Sequence, residues 1–171
     1  MGEALKVLLI ALAIGAALPT VSLAGFGEWS SEVEKDPFSK GQRVTVNNMT
    51  SIRSGVLMIC DSSEKGLTVR IIPGFAAVEK LAGYEPHVEF AVDETLLFGQ
   101  GGETGSVGDN LAVSQVQLTP QNAKILVDAF TKAKKQVAIK DGISDRPHLL
   151  SSRGSTKSGA ALTACMDKQS Q

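Results

Sequence analysis

The stretch GVLMICDSSEKGLTVRII, residues 55–72, carries the strongest structural signal in the chain. Its first part, residues 55–60, is a short continuous apolar run, which is typical of a strand buried on both faces. Its last part, residues 67–72, is rich in β-branched side chains and predicts a second strand. The polar segment between them has the composition of a turn, so the whole stretch predicts a β-hairpin.

Further strands are predicted on both sides of this hairpin, wherever short segments alternate apolar and polar residues. A Gly-rich segment, residues 99–108, predicts a loop because five of its ten residues are glycine. The segment 95–98 is expected to continue the strand before it or to pair with that strand. The predicted strands are residues 28–34, 42–47, 88–92, 95–98, 111–118, 136–140 and 148–151.

Two helices complete the prediction. Thr119 is a good N-cap and Pro120 is favoured at a first helical position, so an amphipathic helix begins there. A short C-terminal helix over residues 155–167 contains several small residues and carries Cys165. The chain is therefore expected to be α+β and mainly β: an antiparallel β-sandwich-like domain with one amphipathic helix and a short C-terminal helix.

The first 24 residues have the pattern of a secretory signal peptide. Lys6 precedes an almost wholly apolar run over residues 7–18, and Ser22-Leu23-Ala24 supplies small residues before a cleavage point. Cleavage there leaves a single domain, residues 25–171, in the periplasm or secreted, with no integral membrane span. The alternative is an uncleaved membrane anchor, although the apolar run is short for a span of about 20 residues.

Composition limits the classes of partner. Seventeen Lys and Arg residues against eighteen Asp and Glu residues give a net charge of -1. A nucleic-acid partner is therefore not expected, because such partners select strongly basic surfaces. A polybasic segment for a membrane surface is also missing from the sequence.

The two cysteines, Cys60 and Cys165, both follow the predicted cleavage point. Export permits a disulfide, and two cysteines allow one intramolecular pairing. The alternative is two buried free thiols. Neither cysteine has another Cys or a His within four residues, so no metal site is predicted, and no cofactor is expected.

Serine chemistry has one partial signature. Ser62 and Lys65 form a Ser-x-x-Lys pattern, and Lys157-Ser158-Gly159 is similar to the third motif of serine β-lactamases. However, the first motif lies in a predicted turn instead of at a helix start. The segment Ser144-Asp145-Arg146 lacks the Asn of the middle motif.

Histidine chemistry is no better supported. His87 and His148 have no signature of a nucleophile or a metal partner beside them, and surface histidines near carboxylates are common. No catalytic residue is therefore predicted.

Three features are candidates for binding or modification. Trp29 is either a core anchor or an exposed binding aromatic. Gly101 and Gly102 form part of the predicted loop, which is either a flexible connection or a mobile lip on a partner surface. Asn48-Met49-Thr50 matches the acceptor for N-glycosylation.

A family resemblance follows from the order of several segments. They are Gly27-Glu28-Trp29, Leu57-Met58-Ile59-Cys60, the helix from Gln121-Asn122-Ala123-Lys124-Ile125-Leu126 to Lys134, Leu150-Ser151-Ser152-Arg153-Gly154-Ser155-Thr156, and Ala161-Leu162-Thr163-Ala164-Cys165. This layout resembles the small periplasmic proteins of the invasion-associated locus B family, and is similar to type VI secretion accessory proteins. The resemblance implies a periplasmic or cell-surface β-sandwich with a strand-to-helix disulfide, Cys60 to Cys165, and no catalytic residues.

The sequence thus predicts an exported, non-enzymatic domain that binds a protein or a component of the cell envelope. Two alternatives stay open. One is a small secreted hydrolase that uses Ser62 or a histidine, and it requires a nucleophile and a base within hydrogen-bond reach. The other is a periplasmic carrier of a small ligand, which requires an enclosed apolar pocket.

Overall fold

The structure is a computed structural model, and it describes residues 26–38 and 41–170. The predicted signal peptide, residues 1–24, lies outside the described residues. Within them, the chain has two antiparallel sheets and two helices, which confirms the predicted α+β, mainly β fold class. The helices are α1 (Pro120–Lys132) and α2 (Ser155–Met166). The strands are β1 (Ser30–Lys35), β2 (Gln42–Met49), β3 (Gly55–Asp61), β4 (Leu67–Ile72), β5 (His87–Val92), β6 (Thr95–Gly101), β7 (Glu103–Val107), β8 (Leu111–Leu118), β9 (Gln136–Lys140) and β10 (His148–Ser151).

The larger sheet has six strands in the order β1-β2-β3-β4-β8-β7, and the smaller has four in the order β10-β9-β5-β6. The predicted hairpin is confirmed: β3 and β4 pair antiparallel, from Gly55 with Ile72 to Ile59 with Thr68. Its inward side chains are fully buried, whereas Leu57 on the outward side is half-buried. The hairpin therefore lies at the centre of the larger sheet, with strands on either side.

The inner faces of both sheets and the two helices share one hydrophobic cluster. Alternate residues of β5, Val88, Phe90 and Val92, are buried in it, as the period-two pattern predicts. Burying a side chain of this size stabilises a fold by about 1.5–3 kcal/mol. The residues between them, including Glu89 and Ala91, lie on the opposite face of the strand and are partly exposed.

Helix α1 begins where its sequence predicts. The Thr119 hydroxyl accepts a hydrogen bond from the Asn122 amide nitrogen at 3.2 Å, and Pro120 follows it at the first helical position. Leu126 and Phe130, one turn apart on the inner side, are fully buried. The helix thus packs one apolar face against the core.

A disulfide joins Cys60 of β3 to Cys165 of α2, with their Cα atoms 6.3 Å apart. The pairing that the family resemblance implies is therefore present, and the alternative of two free thiols is wrong. The bond closes a separation of 105 residues in the sequence. In the chain-entropy model a loop of about this length contributes up to roughly 4–5 kcal/mol to stability.

The prediction of a loop over residues 99–108 is wrong, because this segment contains the end of β6 and the whole of β7. Strand β6 pairs with β5, and β7 pairs with β8. Gly102 lies at the corner where the chain passes from one sheet to the other. A Cβ atom there would lie 2.4 Å from the Gln115 carbonyl oxygen, so this glycine permits close backbone contact.

Neither helix in the described part of the chain has the length and apolar character that are needed to cross a membrane.

Candidate functional site

The outer face of the four-stranded sheet carries a row of apolar side chains across all four strands. Their register makes them successive cross-strand neighbours: Leu149 on β10 pairs with Ala138 on β9, Ala138 with Ala91 on β5, and Ala91 with Leu96 on β6. The two leucines at the ends are 63% and 66% exposed, respectively. We call these four residues the apolar row; it presents two large apolar side chains with small ones between them.

A charged pair borders the apolar row. Glu89 and Lys140 are cross-strand partners one step along β5 and β9, and their side chains form an ion pair with an Oε2–Nζ distance of 3.1 Å. Such a partly exposed pair contributes little to stability, about 0–1 kcal/mol. Its position matters more than its energy, because it places one positive and one negative group at defined points beside the apolar row.

His87 and Gly99 form the far end of this face. A Cβ atom on Gly99 would lie 2.2 Å from Nε2 of His87, so the imidazole lies directly over the glycine backbone. His87 also pairs with Gly101 across the two strands. The glycine at position 99 therefore gives the histidine ring its place on the sheet.

The turn between β5 and β6 is held in a strained conformation. Asp93 and Glu94 both have positive φ angles, 48° and 69°, where residues other than glycine are uncommon. The Asp93 carboxylate accepts hydrogen bonds from the amide nitrogens of Lys134, Lys135 and Gln136 at 2.8, 2.7 and 3.0 Å. These hydrogen bonds lower the pKa of Asp93, and the bond from the Lys134 amide has the largest effect. The carboxylate thereby fixes the hairpin that carries Leu96.

The outer surface of β4, β8 and β7 is polar by comparison. Arg70 donates to the side-chain oxygen of Gln115, and Gln115 Nε2 donates to Glu103 Oε1 at 2.8 Å. Thr68 and Gln117 are joined by a further side-chain bond. Polar side chains on three neighbouring strands thus satisfy one another across this face, whereas the four-stranded sheet exposes an apolar row.

Trp29 is part of the core. It is 4% exposed, its ring meets that of Phe130 edge-on with centroids 4.8 Å apart, and its Nε1 donates to the Ser151 carbonyl oxygen at 2.8 Å. The interpretation as a core anchor is confirmed, and that of an exposed binding aromatic is wrong. Its predicted place within the first strand is also wrong, because β1 begins one residue later.

Gly101 and Gly102 do not form the mobile lip that their composition suggests. Gly101 ends β6 opposite His87, where a Cβ atom would meet open space. Gly102 donates its amide hydrogen to the Pro86 carbonyl oxygen at 2.9 Å. Gly101 thus belongs to the outer face of the four-stranded sheet, while Gly102 is a packed corner between sheets.

The Ser62 and Lys65 pair lies in the turn after β3. The Ser62 hydroxyl accepts a hydrogen bond from the Gln42 amide nitrogen at 2.8 Å, and Lys65 is exposed. A helix start, which the β-lactamase motif requires, is not present at these two residues. The pattern is therefore a solvated turn in this fold.

His148 has a buried acid beside it. Its Nε2 lies 2.8 Å from Oδ2 of Asp141, and the Ser144 hydroxyl donates to the same oxygen at 2.6 Å. Burial raises the pKa of Asp141, but hydrogen bonds from His148, Ser144 and the Ile143 amide outweigh it, and the pKa lies below its ordinary range. Both side-chain donors point to the carboxylate, so the serine is not positioned as a nucleophile on the histidine. The group instead ties together the loop between β9 and β10.

The asparagine of the glycosylation motif is inaccessible in the folded chain. The Asn48 side chain is 0% exposed, and within the described residues neither its Nδ2 nor its Oδ1 has a hydrogen-bond partner. A glycan requires an exposed amide nitrogen. The motif match therefore does not mark a modification site on this fold.

Two surface depressions among the described residues are lined by mixed or polar groups. One of about 260 Å³ lies between α1 and α2 and is lined by Val127 and Met166 together with polar and charged residues. Another, of similar volume, is lined by Glu34, Asp36, Arg43 and other polar groups. Within the described residues, no group of three or more His, Cys, Asp or Glu side chains is arranged to hold a metal ion.

The chain matches no family model, no curated protein and no solved structure. The resemblance drawn from the sequence therefore stays a prediction.

Leu96 and Leu149 were not singled out from the sequence. Their alternation with buried neighbours is visible in the sequence, but their alignment into one row depends on the pairing of β5 with β9, which are distant in the chain.

Proposed function

We propose that this chain is an exported, non-enzymatic domain that binds a protein partner through the outer face of its four-stranded sheet. The observation that carries the proposal is the apolar row, which holds two leucines about two-thirds exposed at its ends. Exposed apolar side chains grouped on one surface are typical of interaction sites. A component of the cell envelope that presents an apolar surface would bind to the same face in the same way.

The energy available at this face suits protein recognition. Fully burying one leucine contributes about 1.5–3 kcal/mol, so the two leucines supply a useful part of a binding free energy. The alanines between them let a partner approach the backbone closely. Anchoring side chains surrounded by polar groups are the usual pattern at protein interfaces, and Glu89 and Lys140 provide such a border here.

The rigidity of the face also favours binding. Leu96 follows the turn that the Asp93 carboxylate fixes through three backbone hydrogen bonds. Less conformational entropy is lost on association when the binding side chains are already held in place.

Export is supported by two independent features. The disulfide between Cys60 and Cys165 is of a kind that persists in oxidising compartments and is rare in the cytosol. The first 24 residues have the pattern of a signal peptide. Together they favour a periplasmic or secreted location, where the partner would also lie.

The two alternative functions draw less support from the geometry. A hydrolase requires a serine hydroxyl that donates to a base, whereas Ser144 and His148 both donate to Asp141. A carrier of a small apolar ligand requires an enclosed apolar pocket, whereas the depression between α1 and α2 mixes apolar and charged residues.

The test is site-specific photo-crosslinking in intact cells. A photoreactive amino acid is placed at Leu96, at Leu149 or at Ile52, an exposed control residue outside this face that is 85% accessible. We expect a defined protein adduct from Leu96 and Leu149 and none from Ile52. Adducts from Ile52 alone, or from no position, would overturn the proposal.

A further inference from the structure

The charges and the apolar row on the four-stranded sheet are arranged about one line, which runs between β9 and β5. Across that line, the apolar row reads leucine, alanine, alanine, leucine. Beside it, Lys140 lies on one side of the line and Glu89 on the other. The size pattern is therefore symmetric about the line, and the charge pattern is opposite in sign.

We infer that the partner of this face is a second copy of the same chain, bound about a two-fold axis that runs parallel to the strands between β9 and β5. This inference rests on the proposed function, because it uses the same face and names its occupant. The axis places Leu149 opposite Leu96 of the second copy, and Ala138 opposite Ala91. It also places Lys140 opposite Glu89, twice by symmetry, so both charged contacts are attractive.

The shape of the sheet agrees with this axis. A rotation leaves the hand of the strand twist unchanged, so two copies of one twisted face remain parallel to each other when they stack. Face-to-face packing of sheets in nearly the same direction is a common arrangement, with the backbones about 10 Å apart. The leucines then form two pairs at the ends of the apolar row.

Other face-to-face arrangements lose the charge match. A two-fold axis across the strands through the apolar row places Lys140 opposite Gln136, because these two residues flank Ala138 on β9. If the strand-parallel axis lies on β9, Lys140 of one copy faces Lys140 of the other. If it lies on β5, Glu89 of one copy faces Glu89 of the other. Like charges that face each other oppose association.

The face is smaller than the interface of a typical stable dimer. Four strands spaced about 4.8 Å apart, with about five residues each, cover roughly 300 Å² per copy. A stable interface buries about 800 Å² per partner. We therefore expect a reversible dimer with a dissociation constant on the order of 10 µM to 1 mM.

Sedimentation equilibrium on the exported protein, over about 10 µM to 1 mM, tests the inference with a charge exchange. We expect monomer and dimer in the wild type, and a dissociation constant raised at least ~10-fold by Glu89→Lys or by Lys140→Glu, since each makes both contacts repulsive. The double exchange restores the dimer. Asp128→Lys is the matched control: it breaks an exposed intramolecular pair with Lys124 on α1, away from this face, and should leave the dimer unchanged.

Each outcome has a defined meaning, provided that circular dichroism shows every variant to be folded. A wild type that is monomeric at 1 mM overturns the inference, as does a dimer that is indifferent to the charge variants or is not restored by the double exchange. If the protein is monomeric but Leu96 and Leu149 still crosslink to a different protein, the inference fails and the proposed function stands. If neither is seen, both fail.

Discussion

Nε2 of His148 lies 2.8 Å from Oδ2 of Asp141, a fully buried carboxylate seven residues earlier in the chain. This contact, with those from Ser144 and the Ile143 amide, closes the loop that leads into β10 and therefore positions Leu149. The donors that surround this carboxylate bind its ionised form. Protonation of Asp141 therefore weakens these hydrogen bonds, and the loop is expected to be sensitive to acid.

The first prediction concerns Asp141 and pH. Its pKa in the fold lies below the ordinary value of 3.8, so its ionised form stabilises the fold above that pH, and the contribution is lost as the pH falls through the lowered pKa. At pH 7, Asp141→Asn should lower the free energy of unfolding by about 2–3 kcal/mol, because the amide mismatches donors that faced a carboxylate. Urea denaturation of the wild type and the variant at pH 7 and at about pH 2 measures this difference and its loss in acid. A stability difference between the two proteins that persists undiminished in acid would contradict a stabilising role for the ionised Asp141. The control is Asp145→Asn, at an exposed carboxylate in the same loop.

The second prediction concerns the strained turn. Glu94 has a φ angle of 69°, which glycine adopts without steric cost. Glu94→Gly should therefore raise the free energy of unfolding by about 0.5–1 kcal/mol. The same substitution on the exposed strand β1, Glu34→Gly, should lower it, because glycine weakens a strand interior. Thermal denaturation of both variants checks the pair, and a destabilised Glu94→Gly would show that the turn is not strained.

The third prediction concerns two adjacent glycines. A Cβ atom at Gly102 would lie 2.4 Å from the Gln115 carbonyl oxygen, whereas at Gly101 it would meet open space. Gly102→Ala should lower the free energy of unfolding by about 1–3 kcal/mol, because backbone has to move. Gly101→Ala should be close to neutral. Equal effects in a chemical denaturation experiment would mean that the corner between the sheets is looser than the structure shows.

The fourth prediction concerns the buried amide of Asn48. Within the described residues its polar atoms have no partner, and such a group costs about 1–3 kcal/mol. Asn48→Leu, which keeps a similar volume, should raise the free energy of unfolding by about 1 kcal/mol. Its neighbour Asn47 accepts a hydrogen bond from the Ser30 hydroxyl at 3.0 Å, so Asn47→Leu should not stabilise the protein. Loss of stability in Asn48→Leu would show that the amide is satisfied.

The sequence was sufficient for the elements that local patterns determine. The hairpin over residues 55–72 and the start of α1 after Thr119 follow from apolar periodicity and capping, which act over a few residues. The cysteines allowed one intramolecular pairing, so the fold had only to bring Cys60 and Cys165 together.

Two features were not accessible in this way. The glycines near position 100 suggest a loop by composition, yet β6 and β7 form because the neighbouring strands β5 and β8 supply their hydrogen bonds. The apolar row was missed because it depends on the pairing of β5 with β9, which are distant in the chain. Leu96 and Leu149 are 53 residues apart, the difference of their numbers, and only the strand register places them on one surface.

The crosslink yield at Leu149 in intact cells, with and without a charge at the other end of the apolar row, tests the central claim most directly. The yield is measured with Leu96→Asp and with the control Ile52→Asp, which alters an exposed apolar residue away from the face. Binding through the apolar row predicts that Leu96→Asp lowers the yield at least about 5-fold, because an anchoring side chain is lost and a charge is buried. The control should leave the yield unchanged. An undiminished yield with Leu96→Asp would contradict binding through this face.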